Sequence, residues 1–158
     1  MTLLDAPKYD AKGARAKRNL SVAIVIVVVI AIIGGFGYAI DWPWQLWNAP
    51  ANHRVNSFLE TVEDGDLQKA YGMWNHDPDW QQHLDQYKAY DFNQFQKDWG
   101  VGSDYGKIRS HQITVAKRVG NGVVMGVSIN GGKTPLFLRV DGKTKTIGFS
   151  PVELYTGP

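Results

Sequence analysis

The chain has 158 residues, 17 Lys and Arg against 15 Asp and Glu for a formal net charge of +2, and no cysteine. The missing thiols exclude a disulfide scaffold, a thiolate metal site and a cysteine nucleophile. The near-balanced charge supplies no basic field of the kind that holds nucleic acid, so no nucleic-acid partner is expected.

Residues 1–19 form a basic tail in which Lys8, Lys12, Arg15, Lys17 and Arg18 face only Asp5 and Asp10. It is rich in Ala and Gly without apolar periodicity and is expected to be unstructured and cytoplasmic. Residues 20–40 hold no charged side chain and are almost entirely Val, Ile, Ala and Gly. At helical rise such a run reaches about 31 Å, enough for the hydrocarbon core of a bilayer, where a helix satisfies its own backbone. A single transmembrane helix is predicted, with the basic flank fixing the N-terminus inside. A cleaved leader is the competing reading, since Gly37-Tyr38-Ala39 imitates a cleavage site, and a buried core helix is a third. The length of the apolar run favours an uncleaved signal anchor, because the apolar region of a leader spans only about 7–15 residues. Ala31, Gly35 and Ala39 recur every four residues, a small-residue stripe along which two such helices can approach.

Residues 41–50 carry Pro43, Pro50, Trp42, Trp44 and Trp47. The three indoles suit the headgroup layer, and this segment reads as a stiff membrane-proximal linker. Residues 51–158 are expected to form one extracytoplasmic domain. Val55, Phe58, Leu59 and Val62 fall at i, i+3, i+4 and i+7 before Gly65, the spacing of an amphipathic helix. Asp66 caps a second, with Leu67, Ala70, Tyr71 and Trp74 on one face. Asp77-Pro78 predicts a third helix to about Ala89, with Trp80, Leu84 and Tyr87 as its stripe. Asp91 caps a short fourth that carries Phe92, Phe95 and Trp99 and ends at Gly100.

After Gly106 the period changes to two. Strands are predicted over 108–117, 123–129, 133–140 and 143–149, separated by Gly120-Asn121-Gly122, Asn130-Gly131-Gly132 and a tight hairpin turn at Asp141-Gly142. Helices first and strands afterwards give an α+β domain with short helices packed on a four-stranded antiparallel sheet.

The opening Phe58-Leu59-Glu60 through Gly65-Asp66-Leu67 to Ala70-Tyr71, followed by a meander ending in Phe137-Leu138-Arg139-Val140-Asp141-Gly142, resembles the nuclear transport factor 2-like superfamily. The resemblance covers about residues 52–154 and implies a curved sheet closed on one side by helices, a cone. It also implies a membrane-anchored bacterial member with its domain in the periplasm. Where relatives end in a Gly-x-Trp-x-Ile-like strand, this chain has Lys143-Thr144-Lys145-Thr146-Ile147.

Enzymes of that superfamily, such as ketosteroid isomerase and scytalone dehydratase, place carboxylates, histidines and tyrosines inside the cone. Here the strands from 107 to 149 contain one acidic residue, Asp141, in a turn, and one histidine, His111. No catalytic residue is therefore assigned. A ligand pocket between helices and sheet would draw on Tyr71, Trp74, Tyr87, Trp99 and His111. His76, Asp77, Asp79 and His83 are the densest set of metal-ligand types, but Asp77 and Asp79 are explained by helix capping and first-turn charge, and no metal or cofactor is expected. Gly132-Lys133-Thr134 lacks the earlier glycine of a phosphate-binding loop.

The expected function is that of a non-enzymatic, single-pass protein of the bacterial inner membrane presenting a binding or assembly module. Its partner would be another envelope protein, a second copy meeting it through the sheet, or a small apolar ligand, with Ile113, Val115, Val124 and Val127 as exposed apolar strand positions for a second copy. Two alternatives stand beside it. One is an isomerase or dehydratase pairing His111 with Tyr71 or Tyr87. The other is a tethered inhibitor or peptide binder using a sheet edge or the loop from Gly100 to Gly106.

Overall fold

A computed structural model describes residues 11–39 and 48–154 of the chain. The protein divides into two compact units, Met1–Ile40 and Asp41–Pro158. Helix α1, Ala11–Ala39, makes up the described part of the first. It begins well inside the tail that composition marks as unstructured. Ala, Lys and Arg are good helix formers, and the apolar run behind them already supplies the helix nucleus. Leu20, Ile24, Val27, Ile30, Ile33 and Phe36 are all exposed, so apolar side chains surround the helix rather than forming one stripe. Ser21 Oγ donates to Lys17 O at 3.0 Å, leaving that hydroxyl satisfied within the helix. Trp42, Trp44 and Trp47 lie outside the described residues.

The second unit opens with α2, Ala49–Glu63, whose Val55, Phe58, Leu59 and Val62 are buried as the i, i+3, i+4, i+7 spacing requires. Helix α3, Leu67–Asn75, starts where Asp66 accepts from the Lys69 amide and buries Ala70, Tyr71 and Trp74. It stops at His76, which takes a left-handed conformation (φ 54°). Helix α4, Phe92–Trp99, is capped by Asp91 and buries Phe95 and Trp99.

The third helix predicted from Asp77 to Ala89 does not form. Two single 3-10 turns, Trp80–Gln82 and Leu84–Tyr87, take its place. Asp77 explains the difference. Its Oδ1 accepts from the Asp79 amide (3.0 Å), while its Oδ2 accepts from Tyr87 OH (2.8 Å) and lies 2.7 Å from His83 Nδ1. A side chain that binds local backbone and neighbouring side chains in this way competes with the helical ladder. Of the three residues in the predicted stripe only Trp80 is buried, and Leu84 stays exposed.

Strands β1 (His111–Val119), β2 (Gly122–Ile129), β3 (Leu136–Asp141) and β4 (Ile147–Phe149) pair antiparallel in the order β1-β2-β3-β4. The α+β class and the meander stand, but the curved, cone-like sheet does not: β1 and β4 are free edges of an open sheet that is neither closed nor curled. Curling a sheet needs repeated bulges or long staggered strands. The pairing shows one register shift, between Ile113 and Val115, and β4 has only three residues.

That single shift reorders β1. Before it, His111 and Ile113 pair with Ile129 and Val127; after it, Ala116 and Arg118 pair with Met125 and Val123. Odd positions and then even positions thus share the face that carries the core. The core joins α2, α3 and α4 to Ala116, Met125, Val127, Ile129, Leu138, Val140 and Ile147. The four apolar strand residues expected on one open face are split by this register. Val127 is in the core and Ile113 packs against it, whereas Val115 and Val124 belong to the opposite face. Val124 is nonetheless fully buried, flanked in register by Lys117 and Arg139, whose long stems are available to cover it.

The turn between β3 and β4 is wider than a two-residue hairpin. Val140 pairs with Ile147, the Asp141 amide donates to Thr146 O, and Lys145 supplies the left-handed position (φ 64°). Gly142 has no positive φ to accommodate. It is required because a Cβ there would run into the carbonyl of Asn121 in the β1–β2 turn, which accepts from the Gly142 amide at 2.8 Å.

Candidate functional site

Of the five residues expected to line a pocket, three are core. Tyr71 is buried with its ring 4.7 Å from Trp80 and 5.1 Å from Phe95, and its hydroxyl donates to Tyr90 O at 2.6 Å. Burial raises its pKa. Trp74 lies 5.4 Å from Phe58 and 5.1 Å from Phe149. Trp99 meets Phe58 edge-on at 4.9 Å and stacks parallel to Phe149 at 5.9 Å. Rings in edge and offset contact occupy the space between helices and sheet. Trp99 also forms part of the wall of an open cleft of about 500 Å³, beside Tyr105 and Leu136.

Tyr87 is tied into the loop after α3. Burial and the adjacent Asp77 push its pKa up to about 12. Asp77 itself is held below the usual carboxylate range by its hydrogen bonds with His83 and Tyr87. His76 turns elsewhere, its Nδ1 being 2.9 Å from Arg54 Nη1. The four ligand-type residues of this loop therefore do not converge, and no three His, Asp or Glu side chains gather as a metal site among the described residues.

His111 is set apart from both tyrosines. The register of β1 turns it toward α2, where its side chain is only 8% exposed. Its Nδ1 lies 2.6 Å from Glu63 Oε1 and its Nε2 2.8 Å from Asn56 Oδ1. Asn56 Nδ2 in turn donates to Glu60 Oε1 at 2.6 Å. Asn56, Glu60 and Glu63 stand at i, i+4 and i+7 on α2, one polar row beside the buried apolar one. The donation from Asn56 Nδ2 to a carboxylate fixes the amide with its oxygen toward the histidine. Both ring nitrogens thus face acceptors.

Beside this row opens a cleft of about 510 Å³ lined by Ala49, Asn52, His53, Asn56, His111, Gln112 and Ile113. Its size suits a small molecule or a peptide side chain. The lining offers three amides and two imidazoles, but no hydroxyl and no carboxylate. A histidine paired with Glu63 would be oriented for proton transfer. Here its second nitrogen is taken by Asn56, so neither ring nitrogen of His111 is directed to a substrate. The amides of Asn52 and Gln112 offer hydrogen bonds to a ligand.

Comparison of the chain with protein-family models, curated proteins and solved structures gave no match. The likeness to the nuclear transport factor 2-like superfamily therefore rests on element order and the helix-Gly-Asp-helix opening alone, and its cone is absent.

Sequence reasoning singled out His111 but not its partners. Asn56, Glu60 and Glu63 could have been grouped by helical spacing, yet nothing local shows which strand residue meets them across more than forty residues of chain. The sequence marks Asn130 only as a turn residue. Its Oδ1 accepts from the Arg109 and Ser110 amides and its Nδ2 donates to Tyr105 O and Lys107 O, so it pins the loop leading into β1.

Proposed function

We propose that the protein is a single-pass membrane-anchored module that binds a ligand or partner outside the cytoplasm and does no covalent chemistry. The observation that carries the anchor is α1, a 29-residue helix whose charge-free run keeps its large apolar side chains exposed on every side. A core helix of a soluble protein would hide one face, and an amphipathic surface helix would present a polar one. The basic residues before the run support a cytoplasmic N-terminus. For binding rather than catalysis, the support is the cleft at α2 and β1, with amides in reach and its one buried histidine held at both nitrogens.

The test is to express the full chain with a C-terminal alkaline phosphatase and, separately, a C-terminal green fluorescent protein. Membranes are then washed at alkaline pH and the N-terminus of the product sequenced. The expected result is an uncleaved chain that stays in the washed membrane, with an active phosphatase fusion and a dark fluorescent one. Release into the wash, or a new N-terminus near Ala39, would overturn the anchor.

A further inference from the structure

A second cleft, of about 300 Å³, opens where α2 begins, walled by Asn48, Arg54, Arg118 and the β3–β4 turn with Asp141 and Lys145. Asn48 occupies the N-cap position of α2, yet its side chain makes no capping hydrogen bond. It is 2% exposed, and both its Oδ1 and its Nδ2 lack a hydrogen-bond partner. Leaving a buried amide unpaired is costly, and such groups in a folded protein call for an explanation. Three cations, Arg54, Arg118 and Lys145, line the same cleft. Asp141, the one acid in the wall, is already engaged by the Lys143 and Thr144 amides and by Asn121 Nδ2. Lys145 Nζ donates to Gly142 O, which holds the ammonium at the turn.

We propose that this cleft binds a phosphate group bearing a hydroxyl. The oxyanion matches the guanidinium of Arg54, of which Nη1 alone is engaged by His76, and the positive wall at the start of a 15-residue helix. Asn48 adds a requirement that a bare anion would not meet: Nδ2 must donate and Oδ1 must accept. A phosphate with an O–H of its own, or an adjacent alcohol as in a glycerophosphate, satisfies both atoms at once. Such a group comes either from an anionic lipid headgroup or from a soluble phosphate ester. The lipid source alone depends on the membrane reading above; the site itself does not.

The experiment is a titration of the full, ¹⁵N-labelled chain in neutral maltoside micelles with glycerol phosphate, following the Asn48 side-chain amide, with the Ala49 and Ala51 backbone amides as the reporters that remain in an Asn48 variant. In parallel the chain is placed in nanodiscs of phosphatidylglycerol or of phosphatidylcholine. A saturable shift of that amide is expected, with Arg54→Gln and Lys145→Gln each weakening the response about tenfold. Asn48→Asp should abolish binding by putting a carboxylate against the anion, with the rest of the ¹⁵N spectrum unchanged as the sign that the fold persists. A shift with glycerol phosphate alone assigns a soluble ester, and one confined to phosphatidylglycerol discs assigns a lipid headgroup. No saturable shift up to about 10 mM ester and none in either disc overturns the proposal, as does wild-type binding by the Asn48→Asp variant.

Discussion

Asn130 shows how one side chain can replace a stretch of regular structure. In a left-handed conformation (φ 50°) it bonds to four backbone groups of residues 105–110, a loop with no ladder of its own. His111 follows at once and depends on that placement. Replacing His111 by alanine would leave Glu63 Oε1 and Asn56 Oδ1 without their imidazole partner; a loss of about 2 kcal/mol is expected, read by urea unfolding of the full chain in neutral micelles with tryptophan fluorescence. A second residue-scale effect is set by pH. Asp141 is held down to about 2, chiefly by the Thr144 amide and then by that of Lys143. Its folded value lies below its unfolded one, so the stabilisation is present above about pH 4 and is lost as pH falls through about 2. The unfolding midpoint of Asp141→Asn should therefore depend less on pH across that window than that of the parent chain, though Asp77, shifted in the same direction, keeps some dependence.

Among the elements, the helices divide by what their side chains do to the backbone. In α2, α3 and α4 the apolar spacing faces a sheet that can bury it, and the carboxylates of Asp66 and Asp91 accept from backbone amides at the helix starts. In the loop after α3 a carboxylate of the same type, Asp77, binds ahead to Asp79, His83 and Tyr87, and the helix gives way to 3-10 turns. The β3–β4 turn is fixed from outside as well. Gly142 lies against the β1–β2 turn so closely that a methyl group would strike the Asn121 carbonyl. Gly142→Ala is expected to cost about 2 kcal/mol, more than a surface substitution in an exposed turn, and to shift the amide resonances of both turns in an ¹⁵N spectrum. Unchanged resonances at Asn121 and Gly122 would show that the two turns are not coupled.

The whole molecule couples an apolar helix to a small α+β domain with its own core. If α1 spans a bilayer, a charge at its middle carries an insertion penalty of about 2.5–3.5 kcal/mol. Val28→Arg should then move a substantial share of the chain out of the alkaline-washed membrane, while the same change in an exposed helix of a soluble protein would leave its fractionation as it was. The domain's open sheet places no cone over a substrate. Its aromatic interior is filled, so access for ligands is at the rims, at the start of α2 and beside β1.

The sequence by itself determined the apolar helix, the stripes of α2, α3 and α4, the Asp caps of α3 and α4 and the order of helices before strands. Each of these follows from interactions within a few residues, where periodicity and capping act directly. Only the tertiary structure decided the rest. A single register shift in β1 chose which face of the sheet Ile113, Val115, Val124 and Val127 occupy, and it turned His111 to Glu63 and Asn56. The open sheet, the packed aromatic interior and the unpaired Asn48 amide beside the β3–β4 turn likewise depend on groups far apart in the chain. Strand pairing and burial set those contacts, and no local pattern encodes which distant residue will arrive.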